Sequence, residues 1–185
     1  MRNKSLQENG QSMIEVIVAV TVGILVVTAL TFATIFSLRN ASFSKNQSQA
    51  TKLAQEGIEW VRTGRDRNSN INNAVNISGC TGVRLWSDIW SCQIQGSGLC
   101  DNPGPPVSKC YFYVNSTGQL DSLGSSSSFP SLAEGIPSGN PVFRRVVILS
   151  DDSGYATQKT ATVIVTWTDF AGAHESRLTT ILGKL

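Results

Sequence analysis

The chain has 185 residues, only 15% of them charged, and a formal net charge of +2. That balance excludes the dense basic face of a typical nucleic-acid-binding domain. A single histidine, His174, leaves little for a zinc site or for acid–base catalysis. With an apolar N-terminal helix set aside, the length suffices for one modest domain.

The chain opens on a short polar leader that contains Arg2 and Lys4 and ends at Gly10. An apolar run then extends from Met13 to Phe36 without Lys, Arg, Asp, His, Asn or Gln. At about 1.5 Å rise per residue the run spans roughly 36 Å, enough to cross a bilayer. It is too long for the roughly 7–15-residue core of a cleaved secretory signal, and no Ala-x-Ala site follows it. One carboxylate interrupts the run, Glu15. A carboxylate in a membrane span costs roughly 2.5–3.5 kcal/mol on insertion scales, so a chain that keeps one there is expected to supply a partner. The alternative is a Glu that sits at the headgroup boundary and snorkels.

The residues around it, Glu8-Asn-Gly-Gln-Ser-Met-Ile-Glu-Val16, resemble the leader junction of type IV pilins and type II secretion pseudopilins. The resemblance covers residues 1–40 and rests on Gly, then Glu at a fixed offset, then an unbroken span. It implies that a prepilin peptidase cuts after Gly10 on the cytoplasmic side and leaves the helix in place. Gln11 then becomes the first mature residue, in the place where the family usually has Phe, and its amine is the implied site of N-methylation. Glu15 becomes the fifth mature residue, where the family carries its Glu. The implied role of Glu15 is subunit assembly, through a pair with the α-amine of a neighbouring subunit. The implied location is a single-pass inner-membrane protein with its globular domain outside the cytoplasm, then an extracellular or periplasm-spanning filament. Implied partners are other pilin or pseudopilin subunits, the prepilin peptidase and a membrane assembly platform; no cofactor and no small-molecule substrate are implied.

The helical pattern continues past the span. Apolar or small residues recur at Ala50, Leu53, Ala54, Gly57, Ile58, Val61 and Gly64, the spacing of an amphipathic helix. Pro is absent before Pro103, so one unkinked helix is predicted from about Ser12 to Gly64. Lys52 and Glu56 are spaced as an i,i+4 pair. The stretch from Leu53 to Arg67 resembles the helix end of minor pilins. Arg62, Arg65 and Arg67 form a small basic cluster there. Its functional reading is contact with an acidic neighbour or with DNA; the plain reading is a helix C-terminus, whose dipole favours Arg.

Residues 68–110 have no sustained period and hold Cys80, Cys92, Cys100 and Cys110. An even count, no Cys-x-x-Cys and an export signal favour disulfides in an oxidising compartment. Four cysteines allow three connectivities; neighbour pairing, Cys80–Cys92 with Cys100–Cys110, is preferred, although the sequence does not choose. Leu85, Trp86, Ile89 and Trp90 are spaced as a helical turn against the core, or else as an exposed aromatic patch.

Strands are predicted at 111–114, 142–149, 160–167 and 175–182, with turns at 115–118 and 169–173. Residues 121–141 are rich in Ser, Gly and Pro and read as a surface loop. Asp151 and Asp152 are a weak Ca²⁺ candidate, since two carboxylates fall short of the usual six to eight oxygen ligands. Nothing reads as a nucleophile elbow, P-loop or zinc motif, so no enzyme is expected.

The expectation is an α+β, pilin-like chain. Residues 1–10 are a removed leader and 11–36 a membrane and filament-core helix. Residues 37–67 are its amphipathic continuation, 68–110 a Cys-containing loop region, and 111–185 an antiparallel sheet. The expected function is a structural subunit of minor-pilin kind. One alternative is a pseudopilin of a secretion or DNA-uptake system. Another, of a different class, is a membrane-tethered binding module or adhesin.

Overall fold

The structure, a computed structural model, describes residues 8–72, 85–90, 109–126, 129–151, 155 and 157–184. The chain divides into two compact units, Met1–Lys45 and Asn46–Leu185. The first helix, α1 (Glu8–Asp66), contributes to both. Its start and end lie close to the predicted bounds.

In the second unit the remaining elements are β1 (Ile71–Asn72), α2 (Trp86–Ile89), β2 (Lys109–Val114), β3 (Leu120–Ser126), β4 (Glu134–Ile136), β5 (Phe143–Asp151), β6 (Gln158–Asp169) and β7 (Gly172–Gly183). They form a sheet of order β1-β3-β2-β5-β6-β7, with β4 also on β5. Every pairing is antiparallel except β1 with β3. β2 meets β5 through Tyr111 and Phe112; β4 then takes over that edge from Arg145 to Phe143.

The amphipathic stripe of α1 does what its spacing requires. Ala50, Ala54, Ile58 and Val61 are buried in one core with Val147 and Leu149 of β5 and Ala161, Val163, Val165 and Trp167 of β6. Burial along β6 alternates with the period of two expected of a strand. At Gly57 the helix comes close to the sheet. A Cβ there would lie 2.8 Å from Val163 Cγ1 and 3.3 Å from Arg145 Cδ. Gly57→Ala is therefore expected to lower stability by about 1–3 kcal/mol despite its better helix propensity. A lowered urea midpoint of the detergent-solubilised chain is the check.

Within this unit α1 runs parallel to β7. Thr51 Oγ1 lies 3.4 Å from Ser176 Oγ, and Arg62 donates to Thr180 Oγ1 at 3.0 Å. Near its end Arg65 donates to the Gly183 carbonyl at 3.5 Å.

Arg145 of β5 ties three elements together. It is 3% exposed and donates through Nε and Nη2 to both Glu134 oxygens of β4, at 2.8 and 2.9 Å. Its Nη1 donates to the Leu53 carbonyl of α1 at 2.9 Å and lies 3.4 Å from Glu56. Glu56 also accepts from Trp60 Nε1 at 3.3 Å. Glu56, expected to pair along the helix with Lys52, is thus drawn across to the sheet by a buried guanidinium.

The segment expected as a surface loop, 121–141, is a correction. Residues 120–126 pair with β2 as β3, and 134–136 pair with β5 as β4. Ladder bonds to an existing strand override the weak β propensity of Ser and Gly. A second apolar cluster lies on the sheet face away from α1. Tyr111, Val146, Ile148 and Ile164 are buried there with Ala133, and Leu123 and Phe129 pack against them.

α2 places Trp86 and Ile89 at 1% exposure each, so the helical-turn reading holds and the exposed-patch reading does not. Trp90 is half-buried and donates from Nε1 to the Thr157 carbonyl at 3.0 Å. The 115–118 turn is held by the Asn115 side chain, whose Oδ1 accepts from the Thr117 and Gln119 amides, each at 3.0 Å. Cys80, Cys92, Cys100 and Asp152 lie outside the described residues; of Cys110 and Asp151 only the backbone is described, within β2 and β5.

The β6–β7 turn is braced from within. Asp169 Oδ1 accepts from the Ala171 amide at 2.7 Å and lies 2.9 Å from His174 Nε2, and His174 stacks on Trp167 at 5.4 Å between ring centroids. Burial opposes ionisation of Asp169. The hydrogen bonds from Ala171, His174 and Gly172 and the charge of His174 outweigh it, so the carboxyl is held below its ordinary value. A carboxyl depressed on folding contributes stability that is fully present above its unfolded pKa, about pH 4, and lost as pH falls through the folded value. Asp169→Asn is expected to narrow the difference between urea midpoints measured at neutral pH and in the acid range below that value.

Candidate functional site

The first unit consists, in its described part, of the N-terminal portion of α1. Every side chain from Met13 to Lys45 is exposed. A helix that is apolar all round suits a membrane or a large core, not water. In length and composition this one is a candidate membrane span.

Its polar atoms are handled as a lipid environment demands. Thr21, Thr28, Thr31 and Thr34 each donate from Oγ1 to the carbonyl four residues earlier, at 2.6 to 2.8 Å. No hydroxyl in the run from Met13 to Phe36 is left for solvent, because these are its only hydroxyl residues. Glu15 differs: its side chain is exposed, and among the described residues it has no ion-pair partner. Gly10 and Gln11 both lie in the first turns of α1, and of their side chains nothing is described.

The basic cluster at the other end of α1 is drawn into the fold. Arg62 pairs with Glu59 at 2.9 Å and reaches β7, while Arg65 pairs with Asp66 at 2.7 Å. Arg67 is exposed just past the helix end. Two of the three guanidiniums therefore fasten the helix end rather than form an open patch. Among the described residues no group of three or more His, Cys, Asp or Glu is placed to hold a metal ion.

Arg145 and the second sheet face are the features that sequence reading missed. Their signal lies in Arg144-Arg-Val-Val-Ile-Leu149. A run apolar at both alternating positions marks a strand covered on both faces.

The fold and helix together define an α+β chain with, among the described residues, one candidate membrane span and a mostly antiparallel sheet that packs on the second half of the same helix. Compared with protein-family models, with curated proteins and with solved structures, the chain has no match in any of the three.

Proposed function

We propose that this chain is a pilin-like structural subunit of minor-pilin kind. It is inserted in the inner membrane through residues 13–36 and cleaved between Gly10 and Gln11. It is then assembled into a filament through the same helix. The observation that carries the reading is Glu15, the lone carboxylate of the otherwise charge-free run from Met13 to Phe36, without an ion-pair partner among the described residues. Its position is the fifth after Gly10. Cleavage creates an α-amine at Gln11 on every subunit. An amine and a carboxylate attract strongly in low dielectric, and pairing between neighbours offsets part of the desolvation of each. One such pair per subunit would set axial register while the exposed apolar faces pack on each other. The sheet domain is then carried outside the membrane.

The test is co-expression with a prepilin peptidase followed by intact-mass measurement. Loss of residues 1–10 supports the reading, and an uncut chain or a cut elsewhere removes its basis.

A further inference from the structure

The turn between β2 and β3 carries a pattern that filament assembly leaves unused. Asn-x-Ser/Thr, the acceptor pattern for N-linked sugar, occurs at Asn3, Asn40, Asn46, Asn76 and Asn115, and of these Asn115 alone has Thr two residues on. Asn3 and Asn76 lie outside the described residues. Asn40 and Asn46 lie within α1. On an α-helix residues i and i+2 are about 200° apart, so the hydroxyls of Ser42 and Ser48 do not face their Asn.

At Asn115 the pattern is folded back on itself. Thr117 donates from Oγ1 to Asn115 Oδ1 at 2.6 Å, and the Thr117 and Gln119 amides donate to the same oxygen at 3.0 Å each. Gln119 Oε1, at 3.3 Å, is the longer alternative for the hydroxyl proton. Two backbone amides require an acceptor, which fixes Oδ1 as the atom they meet and leaves Nδ2 over. Among the described residues Nδ2 has no hydrogen-bond partner. Ser116 and Thr117 are exposed and Asn115 is half-buried. The turn is backed by α1: Gly118 has a φ of +77°, and a Cβ there would strike the Trp60 ring. A groove of about 720 Å³, lined in part by Asn115, Ser116, Tyr113 and Leu132, leaves room for a sugar ring beside the turn.

Closing the hairpin needs the two amides alone; the Thr117 hydroxyl is a third donor on the same oxygen. Removing a proton from Nδ2 places negative charge on Oδ1, and donors already in position stabilise charge where it develops. The turn thus turns an ordinarily inert amide nitrogen into a better nucleophile.

We propose that Asn115 is an acceptor of N-linked glycan. Nδ2 attacks the anomeric carbon of a sugar carried on a lipid pyrophosphate. The bond from Nδ2 to that carbon forms and its bond to the pyrophosphate oxygen breaks. The lipid pyrophosphate leaves with the electron pair, and the Nδ2 proton passes to a base of the transferase. In the cell this rests on the proposed export of the sheet domain, because the transfer takes place outside the cytoplasm.

The test incubates purified full-length chain in detergent with lipid-linked oligosaccharide and a single-subunit oligosaccharyltransferase that requires only Asn-x-Ser/Thr. A linear peptide of residues 109–121 is treated in parallel, and a standard acceptor peptide in every tube shows that the enzyme works. Peptide mapping by mass spectrometry reads each site. Asn115 of the folded chain is expected to take glycan at least about tenfold faster than Asn115 of the linear peptide, less than one donor to a developing oxyanion can contribute. Asn40 and Asn46 are expected to stay bare, and Thr117→Val to abolish transfer to Asn115. Equal or slower transfer in the folded chain, a bare Asn115 beside a converted standard peptide, or glycan on Asn40 or Asn46 in its place overturns the proposal. None of these outcomes depends on export or on leader removal, so each leaves the pilin-like reading to its own test.

Discussion

Arg145→Ala is expected to cost about 3–5 kcal/mol, the range for removing one partner of a buried ion pair. The guanidinium is 3% exposed and its main partner, Glu134, 23%, so solvent screens the pair little. Removing it leaves the Glu134 carboxylate without its fork of donors and the Leu53 carbonyl without its hydrogen bond. Glu56 is a lesser contributor at 52% exposure, and Glu56→Gln is expected to cost under about 1 kcal/mol. Urea midpoints of the detergent-solubilised chain separate the two. The double variant Arg145→Met with Glu134→Leu should recover most of the loss, because apolar residues of similar volume replace a buried pair at little net cost. A single variant within about 1 kcal/mol of the unmodified chain would mean that Arg145 does not hold β4 and α1 to β5.

Glu15→Ala is expected to abolish incorporation into filaments while leader removal continues. Opposite charges about 4 Å apart at an effective dielectric near 20 attract by roughly 4 kcal/mol, and each 1.4 kcal/mol is about tenfold in an equilibrium constant. Losing even half of that per contact, repeated along a filament, stops growth. The variant also leaves each Gln11 amine desolvated without a counter-charge, which adds to the penalty. Immunoblots of sheared filaments against membrane fractions read the outcome. Filaments that take up Glu15→Ala at the normal level, with residues 1–10 removed, would sink the pairing role of Glu15.

The parts of the fold legible in the sequence are those where one period governs a long stretch. The α1 stripe from Ala50 to Gly64 and the alternation of β6 both follow from local geometry, and both were read at nearly the right bounds. What escaped depends on distant partners. Leu120 to Ser126 becomes a strand because β2 lies beside it, while its own Ser and Gly content argues for a loop. The burial of Arg145 needs Glu134 and Leu53 brought together from three elements, which no window of sequence contains. The bracing of the β6–β7 turn likewise joins Asp169 to His174 across a hairpin. In the candidate site, by contrast, Gly10, Gln11 and Glu15 stand within six positions of one another, and the roles proposed for them come from the resemblance of that stretch to a pilin leader junction.

The central claim is that Gly10 and Gln11 are separated to free the amine that Glu15 awaits. Intact-mass spectrometry of the chain isolated from membranes containing a prepilin peptidase addresses it most directly. The account predicts a mature chain that begins at Gln11 and retains the apolar helix. A chain that keeps residues 1–10 under those conditions, or one cut after Phe36 with the helix lost, would contradict it.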